Sequence, residues 1–598
     1  MVNKGNQTWT PITGDLMTDW VEEVSADEVL TEYPRPQMVR EHWQSLNGLW
    51  DYAIGQVNGE VPRYEGKILV PFPIESSLSG VKSPLKPDEI LWYRRNFKIP
   101  GSWKDKRILL HFGAADWKTG VWLNGHTIGE HTGGYYPFTF DITEHLRDGD
   151  NELSVSVWDP TNTFGQERGK QSLHPRGIFY TAVSGIWQTV WLEPVPDVYI
   201  KSHRLTPDLD KQLLNLRVET DGLIETTGSH GGLEYRATVY KNGNEIVSGG
   251  DNISNTLSLR IPEPRPWHPE DPFLYDIRIE LILDNIVKDE AKGYFGMRKY
   301  SVGRDELGVR RLMVNNEPLF QNGILDQGYW PDGLYTAPTD EALKYDIEVA
   351  KLLGFNMIRK HAKAEPARWY YHCDRLGIIV WQDMISGGKN INIYLNGIIP
   401  MVAGGLTIKD DKYRRVGRQD PGNRQNYRKE LKEMIDALYN FPSIGMWVPF
   451  NEAWGQFDAV EIADWIEDYD GTRWIDHASG WHDQGTGDIK SVHIYFRRLK
   501  MPKNIKDRAV VISEYGGYSY PIKGHIWRDG KEFGYKKFKS IDDFEDAYRD
   551  LSKSQVEPLR QTGLSAAVYT QLTDVETEVN GLITYDRKRI KLNFMDRG

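Results

Sequence analysis

The chain has 598 residues, 39% apolar and 26% charged, with a net charge of −12 and a single cysteine, Cys373. That length exceeds what one hydrophobic core serves and implies three or four domains, while the interspersed, net-acidic charge argues against a nucleic-acid partner, which needs a concentrated basic face. One cysteine excludes an intrachain disulfide and a thiolate metal cluster, and the lack of eighteen consecutive apolar residues argues against a membrane span.

From about 40 to 195 short β-rich runs recur, among them Ile108-Leu109-Leu110-His111-Phe112, Gly120-Val121-Trp122-Leu123 and Leu153-Ser154-Val155-Ser156-Val157-Trp158. Asn124-Gly125 and Asp148-Gly149-Asp150 punctuate them as turns, so a jelly-roll sandwich over 1–196 is expected. A second all-β unit over 197–302 has strands predicted near 214–219, 235–241 and 275–283, with Asn242-Gly243 as a hairpin turn. This pattern fits an immunoglobulin-like sandwich.

After Gly303 strands and helices alternate. The spacing predicts a helix over 340–353, capped by Thr339 and ended by Gly354. Apolar strands are predicted at 319–320, 355–359, 378–381, 444–450, 473–475, 489–492, 510–512 and 566–569, with further helices around Trp369 and over 427–439. Eight strands with alternating helices over 303–598 predict a C-terminal (β/α)8 TIM barrel. No internal repeat or low-complexity segment is present. An insertion at 386–425, rich in Gly and Asn and carrying Tyr394, follows the third strand. Its place on the catalytic face suits a substrate-shaping loop; a surface flap or an oligomer contact is the plainer alternative.

In such a barrel the active groups stand at the C-terminal strand ends. These ends present Arg359, Asp383, Asn451 with Glu452, His493 with Tyr495, and Glu514. Two carboxylates across one barrel mouth are what glycoside hydrolysis requires, one protonated to release the leaving oxygen and one ionised to attack the anomeric carbon. The alternative, glutamates holding rim arginines or lysines, accounts for either residue alone better than for the pair. The loop Gly480-Trp481-His482-Asp483-Gln484-Gly485 lies on the same face, where Trp481 is placed to stack on a sugar. The 21 Trp and 31 Tyr suit a carbohydrate site, and equally an aromatic-rich β core.

The sequence resembles glycoside hydrolase family 2, the family of β-galactosidases, β-glucuronidases and β-mannosidases, over nearly its whole length. The resemblance rests on Leu91-Trp92-Tyr93-Arg94-Arg95-Asn96-Phe97, Ser184-Gly185-Ile186-Trp187-Gln188-Thr189-Val190-Trp191, Trp267-His268-Pro269 and Phe295-Gly296-Met297-Arg298. In the barrel, Asn451-Glu452-Ala453-Trp454-Gly455 is similar to the family's acid/base motif and Ser513-Glu514-Tyr515-Gly516-Gly517 to its nucleophile motif. It implies a retaining exo-β-glycosidase working through a covalent glycosyl–enzyme, with Glu452 as acid/base and Glu514 as nucleophile. It further implies that Asn451 bonds the sugar 2-hydroxyl, Tyr495 orients Glu514, Arg359 keeps it ionised and His493 lines the sugar subsite. A rim histidine without a sugar contact is the alternative for His493.

The chain departs from the family pattern in places. Arg359-Lys360-His361 replaces Arg-x-x-His, which leaves the direction of His361 open. Tyr569-Thr570-Gln571 stands where a floor tryptophan is frequent, and Leu582 stands where β-glucuronidases carry the lysine of Asn-x-Lys after Asn580. The motif set is most similar to that of the family's β-galactosidases, so the resemblance implies a terminal β-galactoside, drawn from an oligosaccharide or polysaccharide, as the substrate. Another β-linked sugar (a glucuronide, galacturonide or mannoside), an α-L-arabinopyranoside, and a carbohydrate-binding relative without turnover are the alternatives. A uronide would need a cation from elsewhere, such as Lys389 or Lys360. No cofactor and no metal are expected, for no zinc or calcium ligand spacing occurs. Self-association into a homo-oligomer stays possible. The compartment, cytoplasmic or periplasmic, stays open, because a removed signal peptide would leave the same sequence.

Overall fold

The computed structural model describes residues 9–14, 16–222, 232–389, 407–502 and 507–593. The N-terminal part is a sandwich of antiparallel sheets. A six-stranded sheet runs in the order Gly66–Val70, Gly48–Gln56, Glu89–Phe97, Asn151–Trp158, Lys118–Leu123, His126–Thr132. It faces a four-stranded sheet of Gln44–Ser45, Val190–Val195, Arg107–Phe112 and Phe138–Asp141. Residues of both sheets, including Trp50, Tyr93, Leu110, Val121 and Val155, interlock in one apolar core. The alternation of side chains on each strand puts them there. Asn124 and Gly125 have φ of 52° and 85°, the mirror-image turn geometry that makes Asn-Gly a hairpin signal.

The second unit stacks a three-stranded sheet (Tyr199–Asp208, Leu213–Asp221, Leu257–Arg260) on a four-stranded one (Asn244–Asn252, Leu233–Lys241, Tyr275–Leu283, Ile286–Phe295). Leu216, Tyr235, Ile277 and Phe295 fill the space between them. Asn242-Gly243 turns the hairpin between its two edge-ward strands, as the sequence predicts.

The C-terminal part is a parallel barrel of β1 (Gln321–Asp326), β2 (Met357–Lys360), β3 (Ile379–Asp383), β4 (Ile444–Val448), β5 (Trp474–Ile475), β6 (Ile489–Ile494), β7 (Ala509–Gly516) and β8 (Leu564–Thr570). The strands pair in the order 5-4-3-2-1-8-7-6, so the ring is ladder-bonded everywhere except between β5 and β6. Asp488 bridges that seam: its N–H donates to Ile475 O (3.1 Å) and its carboxylate accepts from Ile475 N (2.9 Å). The first strand begins at Gln321, just after the apolar pair Leu319-Phe320 that marks it in the sequence.

Around the barrel lie α1 (Asp340–Leu352), α2 (Ala367–Leu376), α3 (Pro421–Leu438), α4 (Ala459–Tyr469), α5 (Ile541–Asp550) and α6 (Glu557–Thr562). Thr339 caps α1 by accepting from Ala342 N, as expected. The helix predicted to begin at 427 starts instead at Pro421, where Asp420 accepts from Gly422 N and proline occupies the first turn. Much of the 386–425 insertion, Tyr394 included, lies outside the described residues.

Alternation along the strands sorts their side chains. Ile358, Val380, Ile512 and Ala567 face the helices, against Leu343, Trp369 and Ile435. Met357, Trp381, Met446, Val511 and Val568 fill the barrel. That interior is a packed plug, so polar groups are confined to the top layer of each strand, where the site forms.

Candidate active site

Period-two alternation carries the inward face upward from Met357 to Arg359 on β2, from Trp381 to Asp383 on β3, and from Ser491 to His493 on β6. Arg359 is the centre of the layer and is fully buried. Its Nε and Nη2 clamp both oxygens of Asp383 at 3.0 Å each, and Nη2 also donates to Asn451 Oδ1 at 2.8 Å. Its Nη1 donates to Glu514 Oε1 (3.0 Å) and to Ser513 O (3.1 Å). One guanidinium thereby fixes residues from three other strand ends, a use for which its planar fork of donors is suited.

Glu514 reaches the mouth through an irregularity. Along β7, Val511 faces the barrel interior and Ile512 the helices. In the pairing with β6, Val492 opposes Ile512 but His493 opposes Glu514, so Ser513 is an extra residue; the register with β8 also shifts between Ile512 and Tyr515. A bulge of this kind re-aims a side chain. Here both Ser513 and Glu514 reach the inner network: Ser513 Oγ accepts from Ser479 Oγ at 2.9 Å, and Glu514 meets Arg359 and Tyr495. The Tyr495 hydroxyl donates to Glu514 Oε2 and lies 3.2 Å from Thr570 Oγ1.

Glu452 is set by a different device. It and Ala453 have φ of 51° and 61°, a left-handed pair that non-glycine residues rarely adopt. The Glu452 N–H is held by Ser479 O at 2.9 Å and Trp454 N by Asn451 O at 2.9 Å, so the loop is tied on both sides. His493 stands between the two glutamates, with Nδ1 2.8 Å from Glu452 Oε1 and Nε2 3.5 Å from Glu514 Oε1. Side-chain oxygens of Glu452 and Glu514 approach within 4.8 Å. Their surroundings differ: the Glu514 side chain is 5% exposed and the Glu452 side chain 25%.

Burial pushes the Glu452 carboxyl up, but the hydrogen bond and charge of His493, with the charges of Lys170 and Arg359, outweigh it and leave the group below its ordinary value. Burial likewise raises Asp383, to about 6 even against Arg359. His361 is held well below its usual value by burial and then by the charges of Lys170, Arg359 and His493, so it is neutral. Among the described residues Glu452, His493 and Glu514 converge as a metal triad would. Arg359 sits 3.0 Å from Glu514 and supplies the positive charge that a cation would bring, which makes this triad a poor metal site.

The mouth is completed from another domain. A cleft of about 610 Å³ opens over Asn451, Glu452, Trp454 and Trp481, and its other wall is the jelly-roll loop at 162–179. That loop is pinned to the barrel: Arg168 N and Gly169 N donate to Ser386 O at 3.0 and 2.9 Å, and Glu167 pairs with Arg418. Phe179 meets Trp454 edge to face at 5.5 Å.

Three family models match the chain in succession. They are the glycosyl hydrolases family 2 sugar binding domain over 68–196, glycosyl hydrolases family 2 over 198–298, and the family 2 TIM barrel domain over 307–590. The chain belongs to glycoside hydrolase family 2. A β-galactosidase of Thermoanaerobacter pseudethanolicus is 25% identical over 455 residues, 73% of this chain and 55% of its own length. A putative β-glucuronidase of Formosa agariphila is 24% identical over 459 residues, 74% of this chain and 40% of its own. The chain thus spans about half the length of the curated relatives it matches. Among solved structures, a β-D-glucuronidase of Dictyoglomus thermophilum has a TM-score of 0.70 at 18% identity, covering 93% of this chain and 96% of that one. A β-galacturonidase of Eisenbergiella tayi, bound to galacturonate, has a TM-score of 0.69 at 19% identity, covering 93% and 97%. At such identities the likeness is one of fold.

Within this family-2 frame the barrel brings Arg359, His361, Asp383, Asn451, Glu452, His493, Tyr495 and Glu514 into one polar layer, with Trp481 beside His493 at 5.8 Å. The early position of His361 does not turn it away: Gln327 holds Nδ1 (3.0 Å) and Nε2 lies 3.9 Å from both Asp383 and Glu514. Tyr569 is no sugar floor, since it packs outward on Tyr515 and Tyr548. The inward residue is Thr570, and the aromatic face at that side is Tyr535, stacked on Tyr495 at 4.2 Å. Lys360 offers no free cation, because Asp326 and Glu365 neutralise it. Lys389 is exposed and outside the cleft lining. The sequence reading missed Lys170, Arg168 and Phe179. The basic, glycine-broken run Arg168-Gly169-Lys170-Gln171 in an otherwise β-rich domain was the signal available.

Proposed function

We propose that the chain is a retaining exo-β-glycosidase that removes a terminal neutral sugar, a β-galactoside first among candidates, by double displacement. The observation that carries this is the unequal wiring of two close carboxylates. Glu514 is buried, with one oxygen on Arg359 and the other on Tyr495, which favours the ionised nucleophile. Glu452 is the more exposed of the two and lines the cleft, the place for a group that gives a proton to the leaving oxygen and later takes one from water. The approach of one oxygen of each to within 4.8 Å supports the retaining spacing of about 5–5.5 Å over the wider one of inverting enzymes.

The neutral sugar rests on what fills the far side of the site. Leu582 is buried in the apolar cluster, and Asn580 is turned into a chain of hydrogen bonds with Gln571 (2.9 Å) and Glu578 (2.9 Å). Neither offers a charge to a sugar carboxylate. The test is covalent trapping with 2-deoxy-2-fluoro-β-D-galactosyl fluoride, followed by mass spectrometry of the peptides. A label on Glu514 is expected; a product of inverted anomeric configuration would overturn the reading.

A further inference from the structure

The cleft over Glu452 is not lined by Glu514, Arg359, His361, Asp383 or Tyr495. It opens over Glu452 and is lined by none of the groups that hold Glu514, which suits the departure of a leaving group if Glu452 is the acid. Its charges are unusual. Lys170 lines it and is 8% exposed, yet among the described residues it has no carboxylate within 4.0 Å and no hydrogen-bond acceptor; its neighbour is the Phe179 ring, 5.9 Å from Nζ. Arg168, 5% exposed, has the Gly388 carbonyl at 2.9 Å and the Trp454 face at 5.5 Å, and again no acid. The acid next to it in sequence, Glu167, is turned the other way, onto Arg418. Arg176 stands exposed on the rim of the same cleft. Among the described residues Glu452 is the one carboxylate in the lining.

Burying a cation without a close counter-charge is costly, and Glu452 and Glu167 answer Lys170 and Arg168 only from beyond ion-pair distance. Burial followed by the charge of Arg418 already brings Arg168 down to about 10. A bound anion removes the cost for both cations at once.

Resting on the glycosidase reading above, we propose that this cleft is a leaving-group subsite for an acidic sugar, with Lys170 and Arg168 receiving a carboxylate or sulfate and Phe179, Trp454 and Trp481 receiving the ring. The substrate is then a neutral β-linked sugar capping an acidic saccharide, and the jelly-roll domain reads the acidic residue while the barrel cuts the bond. The family's known recognition of a sugar acid acts on the sugar that is released; here the acid lies across the scissile bond.

The test is a titration of the whole chain at low salt, followed by isothermal calorimetry. Three saccharides of equal size serve as probes: neutral β-1,4-galactobiose, digalacturonate, and galactobiose 6-sulfate. At least one acidic probe should bind about tenfold more tightly than the neutral one, and the excess should fall with added salt. The stronger acidic probe identifies the anion as carboxylate or sulfate. In Lys170→Met the excess should vanish. Equal binding of all three probes, or an acidic excess that survives Lys170→Met, overturns the proposal. Should that variant fail to fold, Arg176→Gln on the exposed rim carries the same test, with an expected loss of about two- to threefold; an unchanged excess there counts against the site. Hydrolysis of an aryl β-galactoside without any acidic preference would sink this cleft assignment alone. An acidic preference in a chain that cleaves no glycoside would sink the catalytic reading instead.

Discussion

The two walls of the cleft treat charge in opposite ways. On the barrel side the cations at the mouth are paired: Arg359 is shared between Asp383 and Glu514, Lys360 between Asp326 and Glu365, and His493 stands between the two glutamates. On the jelly-roll side Lys170 and Arg168 have no ion pair within 4.0 Å among the described residues, and Glu452 and Glu167 act on them only from farther off. A layer that neutralises itself keeps its geometry with nothing bound, which is what preorganised chemistry on a neutral sugar needs. A wall left positive is completed only by something that arrives.

That contrast breaks most severely at Glu514, the proposed nucleophile. Glu514→Ala should lose about four orders of magnitude or more in turnover, while azide should restore part of it as a glycosyl azide of inverted configuration. Polarimetry or NMR of the product decides, and substantial residual activity in the folded variant would remove Glu514 from its role. At the acid, Glu452→Ala should cost about 10²–10⁴-fold on substrates with poor leaving groups and much less on activated aryl glycosides. Equal losses in kcat/KM for the two classes would mean that Glu452 does something else.

A smaller effect is expected at Tyr495→Phe, which leaves the Glu514 Oε2 lone pairs without their donor. A hydrogen bond to a charged group is worth about 1.5–3 kcal/mol, so kcat should fall about ten- to a hundredfold with KM little changed. The comparison sharpens further with p-nitrophenyl glycosides. The β-glucuronide should be a poorer substrate than the β-galactoside, because no free cation faces the released sugar from the Asn580–Leu582 stretch. A preference for the glucuronide would transfer Lys170 from the leaving-group side to the released sugar.

The smallest effect concerns pH. Burial raises Glu452, and Lys170 is among the charges that bring it below its ordinary value. Removing a cation makes a carboxyl a weaker acid, and a general acid must be protonated to act. The basic limb of kcat/KM should therefore move to higher pH in Lys170→Met. A limb that stays in place or moves downward would separate the two walls electrostatically.

Much of this architecture was legible in the chain. Asn124-Gly125 and Asn242-Gly243 announce their hairpins because the turn demands a backbone that those residues adopt cheaply. The barrel strands read as apolar runs because both faces are buried, as in Ile379–Asp383. The sequence places β1 too early because Gln321-Asn322-Gly323 is not apolar; Gln321 is drawn inside by its Oε1, which accepts from the Trp381 indole at 2.6 Å. The start of α3 was misplaced because apolar spacing outweighed the cap and proline that begin it.

The sequence by itself determined the three-part architecture, the two glutamates and the strand ends that carry them, since periodicity, turns and motifs are properties of neighbouring residues. Tertiary structure decided which way those residues point and what they meet. The bulge at Ser513 turns Glu514 inward against simple alternation, and Gln327 aims His361 despite its shifted place. Asp326 and Glu365 cancel Lys360, while a loop from a different domain sets Lys170 beside Glu452. Charge balance is a sum over everything that shares a few ångströms, and chain order does not record who shares them.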